Sequence, residues 1–259
     1  MVVGAVALTA GGDAMTAARL ALSMTALQAS IGTLNDLVDA PRDAGHKPGK
    51  PIPAGLVSTQ LAGATVAVGA GLGVWLGLAS GWGTGALAIV VLAIGYGYDL
   101  VFKGTAWSWL PFAVGIPLLP VYGWLGVAGT LPVSFAVLLP VAVIAGAALA
   151  IANARADMER DEAADAESVA TRLGLTRAWL INAVLLGVVV AVAGATLVAG
   201  GASVGALTGA VAAGLVIGLG VLVGRRGDRA RRELAWELQA VGVGLLAMVW
   251  LAGAPLGGQ

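Results

Sequence analysis

Residues 131–165 read LPVSFAVLLPVAVIAGAALAIANARADMERDEAAD. Up to Ala154 the stretch carries no charged side chain. A bilayer-spanning helix needs about 20 mostly apolar residues, so 131–154 is predicted to be one. Transmembrane strands would show apolar and polar residues in alternation, and none does. Toward the end of the run Asn153, Asp157, Asp161 and Asp165 step by four. On a helix that spacing lines one face. An apolar helix ending in a stripe of hard oxygen donors is the pattern that organises the rest of the chain.

Of 259 residues, 59% are hydrophobic and only 11% charged, against about 25% charged in a soluble domain. This composition excludes a disordered chain and points to a polytopic membrane protein. Eight full spans are predicted, near 14–38, 57–79, 84–102, 108–128, 131–154, 177–199, 203–224 and 234–252. Ahead of them Met1–Ala10 forms a shorter apolar piece, closed by Gly11-Gly12-Asp13. At about 1.5 Å per residue it crosses half a bilayer, and it lacks the basic n-region of a signal peptide. It reads as what remains of a ninth helix, either cut short by its start or truly short. The expected fold is all-α: a polytopic membrane helical bundle of about nine transmembrane helices in one domain, 1–259. Gly69, Gly73, Gly77 and Gly81, and Gly201, Gly205 and Gly209, stand four apart and predict close helix packing in lipid.

Thirteen of the 14 Lys and Arg residues fall at or beside connections 2–3, 4–5, 6–7 and 8–9, counting the short piece as helix 1. Those connections share one side, which the positive-inside rule makes cytoplasmic. Every acidic residue except Asp13 lies at or near the same face. One decorated face suggests chemistry entered from the cytoplasm. The absence of cysteine excludes disulfides and thiolate metal sites, and a single histidine, His46, excludes a multi-His centre. Fourteen basic against 14 acidic residues leave no excess for nucleic-acid binding.

A second stripe, Asn35-Asp36-Leu37-Val38-Asp39-Ala40-Pro41-Arg42-Asp43, ends the helix predicted at 14–38. Asn35, Asp39 and Asp43 share a face, with Pro41 expected to loosen the geometry because it removes a backbone donor. Carboxylates this close repel and raise one another's pKa. A divalent cation removes that repulsion, and Mg²⁺ suits carboxylates that share it with substrate phosphates. Two such stripes at helix ends on one face can converge across a cavity and hold a diphosphate through paired metal ions. Lys47, Lys50, Lys103 and Arg172 follow the stripes or end neighbouring helices, placed to bind phosphate oxygens. The basic run Arg225–Arg232 shows no paired acids at helical spacing and reads as a topology anchor or lipid-headgroup contact.

These motifs, in order, resemble the UbiA superfamily of intramembrane prenyltransferases. Asn35, Asp36, Asp39 and Asp43 match its N-D-x-x-D-x-x-x-D signature. Lys50-Pro51-Ile52-Pro53-Ala54-Gly55 is similar to its R-P-I-P-S-G, and Tyr98–Lys103 to its tyrosine-to-lysine segment. Asp157 and Asp161 resemble its D-x-x-x-D region, continuing to Arg172-Leu173-Gly174. Departures from the family pattern stand at Lys50 (for Arg), Ala154 (for Asp), Asp165 (for Gly) and Ser168 (for Thr).

The resemblance implies nine helices around a central cavity. It implies Mg²⁺-dependent transfer of a prenyl group from an isoprenoid diphosphate to an acceptor, by ionisation to an allylic carbocation. Two Mg²⁺ ions would be held by Asn35, Asp36, Asp39, Asp43, Asp157 and Asp161. Asp39, Asp43, Asp157, Asp161 and Lys103 are the implied catalytic residues. Asn35, Lys47, Lys50, Tyr98, Asp99, Asn153 and Arg172 are the implied substrate contacts. Asp99 is open to two readings, an acceptor-side base or an ion-pair partner of Lys103. The acceptor stays open among aromatic, quinone-precursor and lipid-like compounds. Two other functions keep the same carboxylates: cyclisation of the prenyl chain without an acceptor, and transport of a divalent cation or phosphorylated solute. Transport fits less well, because it usually needs polar groups near mid-membrane.

Overall fold

The computed structural model describes residues 2–47, 49–163 and 165–253. Among them every regular element is helical: α1 Val2–Thr9, α2 Ala14–His46, α3 Thr59–Leu78, α4 Trp82–Gly97, α5 Leu110–Ala128, α6 Phe135–Ala163, α7 Val169–Ala199, α8 Val204–Val223 and α9 Arg229–Gly253. α4 runs on into a π-helical turn, Tyr98–Phe102. The chain is an all-α membrane bundle, as its composition predicts. Among the described residues seven helices, α3 through α9, are long and apolar enough to cross a membrane. The eighth predicted span lies in α2. At 33 residues α2 has the length, but Ser, Thr, Gln, Asn and charged residues dilute its apolar face.

Local chemistry sets the helix starts. The Asp13 side chain accepts from Thr16 N at 2.7 Å and caps α2. Ser58 caps α3 through Leu61 N, and Ser203 caps α8 through Ala206 N. Ser168 and Thr171 form a reciprocal capping box at the start of α7. Each satisfies a backbone donor that a helix start leaves open. Inside α7, Gly174 adopts φ 74°, ψ 156° and interrupts the helix, so the segment before it is a separate short turn.

The chain groups into two compact units. The first contains α1–α4 with residues 118–130. Its core gathers Val3 and Ala7 of α1, Leu20, Met24 and Leu27 of α2, Ala88 and Val91 of α4, and Tyr122 of α5. The short α1 is thus a packed helix: of its eight residues Val3, Gly4, Val6 and Ala7 are buried. Ser23 Oγ donates to Gly73 O at 2.7 Å and meets Tyr122 Oη at 2.5 Å, tying α2, α3 and α5 together. The predicted glycine row is a real seam at three positions. A Cβ on Gly69 would stand 2.9 Å from Ala26 O, one on Gly73 3.1 Å from Ser23 O, and one on Gly77 2.7 Å from Tyr122 Oη. Gly81 lies beyond the end of α3 and caps α4 instead.

The second unit contains residues 102–117 and 131–259. Here the predicted row fails at Gly205, which has only Ser203 Oγ within 4 Å, at 3.8 Å, and at Gly201, which sits in the α7–α8 turn. The close seam between α8 and α9 is made by Gly220 and Gly242, whose Cβ atoms would meet Ala235 O at 2.9 Å and Ile217 N at 3.0 Å. Asn182 Nδ2 donates to Ala148 O and to Gln239 Oε1, joining α7, α6 and α9 in the apolar interior. α6 approaches the start of α5 at Gly146, where a Cβ would stand 2.6 Å from Phe112 O and 2.9 Å from Ala113 Cα. Backbone atoms cannot swing aside. Gly146→Ala should therefore destabilise the protein by about 1–3 kcal/mol. Gly218→Ala, with open space around its Cβ, should leave the unfolding midpoint in detergent unchanged or slightly raised. Equal midpoints for the two variants would refute the close approach.

Candidate functional site

The first stripe is built by the end of α2. Pro41 lies inside the helix and does not end it. α2 continues through Pro41 to His46, and Lys47 N closes it by donating to Asp43 O at 2.7 Å. A single missing backbone bond is outweighed by the turns on either side, so Asn35, Asp39 and Asp43 stay on one face. Asp43 is 5% exposed. Asp36 and Asp39 are half-buried.

The segment after α2 folds back onto this face. Leu56 N and Val57 N both donate to Pro51 O, at 2.9 and 3.1 Å, and Gly55 takes φ 71° to allow the reversal. That turn delivers Lys50. Its Nζ lies 2.8 Å from Asp36 Oδ1 and 2.7 Å from Asp43 Oδ2, while Lys47 Nζ lies 3.6 Å from Asp43 Oδ1. The expected rise in carboxylate pKa does not occur at Asp43. Burial opposes its ionisation, but Lys50 and Lys47 outweigh burial and hold the carboxyl below its ordinary 3.8. Lys50 answers in kind: burial would lower it, but Asp36 and Asp43 hold it above 10.5.

The signs give a pH window. Asp43's contribution to docking is complete above 3.8 and is lost as pH falls through its lower folded value. Lys50's is complete below 10.5 and is lost as pH rises through its higher folded value. Amide hydrogen exchange of residues 50–57, corrected for intrinsic rate, should stay slow across neutral pH and accelerate only beyond those limits. Acceleration between pH 5 and 9, a range well inside both limits, would rule the docking pair out.

Among the described residues no group of three or more His, Cys, Asp or Glu side chains is arranged to hold a metal ion. The donor set still fits a hard cation. It is all oxygen, Asp43 is held ionised, and Lys50 already does electrostatically part of what a divalent cation would do, offsetting one of the two negative charges of Asp36 and Asp43.

The remaining first-unit candidates gather on the π-helical turn. Asp99 is 5% exposed, and its Oδ1 accepts from Asn35 Nδ2 at 2.7 Å. Tyr98 beside it is half-buried. Below this link Ser30 Oγ donates to Val66 O and meets Tyr96 Oη, both at 2.7 Å. Asn35 and Asp99 are 64 residues apart, and no local pattern points to the pair.

In the second unit α6 carries Asn153, Asp157 and Asp161, all half-buried. Asp165 leaves the predicted stripe: α6 ends at Ala163, and Asp165 turns the chain with φ 50°. Ala166 N donates back to Asp161 O at 2.9 Å to close the turn. Asp157 is ion-paired with Arg160, whose other nitrogen reaches Glu233 of α9 at 3.1 Å. Arg172 lies in the short turn before Gly174, 3.6 Å from Glu167 and largely exposed. Lys103 is half-buried just past the π-helical turn.

The basic run is not merely an anchor. Arg229 pairs with Glu233 at 3.1 Å, four residues on. Arg232 is 5% exposed, donates from Nε to Arg155 O at 2.9 Å and from Nη1 to Gly227 O at 2.9 Å, and pairs with Glu159. Arg155, 3% exposed, donates to Leu175 O and Gly224 O. The four-residue step from Arg229 to Glu233 was legible in the sequence. The burial of Arg232 was not, because it depends on α9 lying beside α6.

A model of the UbiA prenyltransferase family matches residues 1–252. Solved structures of similar fold include an apo UbiA homolog from Aeropyrum pernix K1, with TM-score 0.74, 18% identity and coverage of 96% of this chain and 94% of that one. A UbiA homolog from Archaeoglobus fulgidus bound to DMAPP and Mg²⁺ gives TM-score 0.72 and 18% identity, covering 95% and 93%. A structure of digeranylgeranylglyceryl phosphate synthase gives TM-score 0.74 and 16% identity, covering 97% and 90%. At these identities the likeness is one of fold. No curated protein sequence gives a significant match.

Proposed function

We propose that this chain, which belongs to the UbiA prenyltransferase family, transfers a prenyl group from an isoprenoid diphosphate to an acceptor in the membrane. The observation that carries the reading is the end of α2: hard oxygen donors on one face, with buried Asp43 kept ionised beside two ammonium groups. A family member of the same fold binds DMAPP and Mg²⁺, which supports an allylic diphosphate as donor. The site faces the cytoplasm, on the side that carries the basic connections.

The proposed Mg²⁺ ligands are Asn35, Asp36, Asp39, Asp43, Asp157 and Asp161. Bound there, Mg²⁺ would neutralise the diphosphate and improve it as a leaving group. The allylic C–O bond breaks heterolytically and its electron pair departs with diphosphate. The acceptor's nucleophilic atom then bonds to the allylic carbon and releases a proton. Lys47, Lys50, Lys103 and Arg172 stabilise the charge that develops on diphosphate, the largest catalytic effect open to such a site. With Mg²⁺ held at Asp36 and Asp43, the Lys50 ammonium that now pairs with them would be free to meet the leaving diphosphate. Tyr98, in the π-helical turn, and Asn153, on α6, contact the substrate. The apolar spans keep water from the allylic cation.

The test is turnover of radiolabelled geranylgeranyl diphosphate by the protein in nanodiscs, with Mg²⁺, a panel of acceptors and an EDTA control. A Mg²⁺-dependent prenylated product is expected. Diphosphate release without an adduct across the panel would replace transfer by cyclisation. No consumption at any chain length would overturn the reading.

A further inference from the structure

The contact between Asn35 and Asp99 does more than join two helices. An ionised carboxylate accepts hydrogen bonds and donates none, whereas a side-chain amide has one donating end and one accepting end. Asn35 presents its NH₂ end to Asp99 Oδ1, at 2.7 Å. The oxygen end is thereby turned away from Asp99. Oxygen is the only end of an amide that ligates a hard cation. Asp99 therefore decides which end of Asn35 the rest of the stripe sees.

The support for Asp99 is rigid. It belongs to a π-helical turn at the end of α4, a rare conformation concentrated at functional positions. Five residues before Asn35 on α2, the Ser30 hydroxyl donates its hydrogen to Val66 O, so the bond to Tyr96 Oη has Tyr96 as donor. Tyr96 lies three residues before Asp99. Two polar links, each 2.7 Å, thus register the end of α4 against α2.

We propose that Asp99 is a positioning residue for the metal site, orienting the Asn35 amide so that its oxygen faces the cation. The inference rests on the proposed role of Asn35 as a ligand.

Mn²⁺ titration of the protein in nanodiscs, with free Mn²⁺ read by EPR in the presence of inorganic diphosphate, tests this without requiring turnover. Asp99→Ala should weaken Mn²⁺ binding by about 10- to 100-fold, the usual effect of losing an outer partner of a metal ligand. Asp99→Asn should keep Mn²⁺ affinity close to wild type, because its amide oxygen still accepts from Asn35. Asn35→Asp sets two carboxylates against each other and should bind Mn²⁺ poorly. Adding Asp99→Asn to it restores a donor–acceptor pair in reverse and should recover binding, a comparison that holds even if Asp99→Ala fails to fold.

Wild-type Mn²⁺ affinity in Asp99→Ala, with Asn35→Ala weakened, would overturn the inference and leave the metal site standing. Mn²⁺ affinity in Asp99→Asn as weak as in Asp99→Ala would show that the carboxylate's charge, not its hold on the Asn35 amide, matters, and would overturn it equally. Unchanged affinity in both Asn35→Ala and Asp39→Ala would instead sink the metal reading on which it rests.

Discussion

Asp39→Ala and Asp157→Ala should each lower isoprenoid diphosphate turnover by at least about 100- to 1,000-fold, the scale of losing a group that stabilises developing charge, while the protein still folds. Asp39 stands between Asn35 and Asp43 on the shared face of α2 and is half-buried. Its truncation creates no large cavity. Asp157 holds the corresponding place on α6, and its ion-pair partner Arg160 keeps Glu233 when the carboxylate is gone. The two variants should therefore retain wild-type thermal unfolding and lose Mg²⁺-dependent diphosphate release. The pairing of both observables matters. If both variants keep full turnover, the carboxylates are solvated helix ends and the metal-bridged mechanism is wrong. If they lose turnover because they unfold, the midpoint shift will show it.

Arg232→Ala should have the largest effect on stability. The side chain is almost wholly buried, donates to the carbonyls of Arg155 and Gly227, and pairs with Glu159. Removing it strips Glu159 of its main counter-charge and opens a gap where α9 meets α6. Glu159 is half exposed and keeps water as a partner, but each carbonyl left without its donor costs about 1–3 kcal/mol, with the gap in packing added. Arg232→Lys keeps a charge near Glu159 but cannot reproduce the planar, many-donor contact, so an intermediate loss is expected. Arg226→Ala, at an exposed position of the same basic run, should leave the unfolding midpoint alone. Equal midpoints for the 226 and 232 variants would return the whole run to the role of a lipid-headgroup anchor. Turnover adds a second reading: Glu159 lies two residues from Asp157 on α6, so residual folded Arg232→Lys protein should show reduced Mg²⁺ sensitivity as well.

Much of this protein was written in local sequence. Helix positions follow from the length of apolar runs and from capping residues at fixed offsets, such as Asp13 with Thr16 and Ser168 with Thr171. Both acidic stripes follow from a four-residue step, which any helix converts into one face. What the local pattern could not decide was where each stripe stops. Asp165 continues the step in sequence but not in space, because α6 ends two residues earlier and the chain reverses. Pro41 errs in the other direction, for a helix already formed on both sides carries a proline near its end.

Tertiary structure alone decided the partners. Lys50 reaches Asp36 and Asp43 only because a tight turn folds the segment after α2 back on itself. Asn35 finds Asp99 only because α4 lies along α2, and Arg232 is buried only because α9 lies along α6. Other neighbours are set by close backbone approach at glycines, Gly69 and Gly73 of α3 on α2 and Gly220 and Gly242 between α8 and α9. Glycine is so frequent in this chain that spacing cannot tell the packed ones from the idle ones. Periodicity places a side chain on a face; only packing determines what that face meets, and so which charges are buried, paired or left for a ligand.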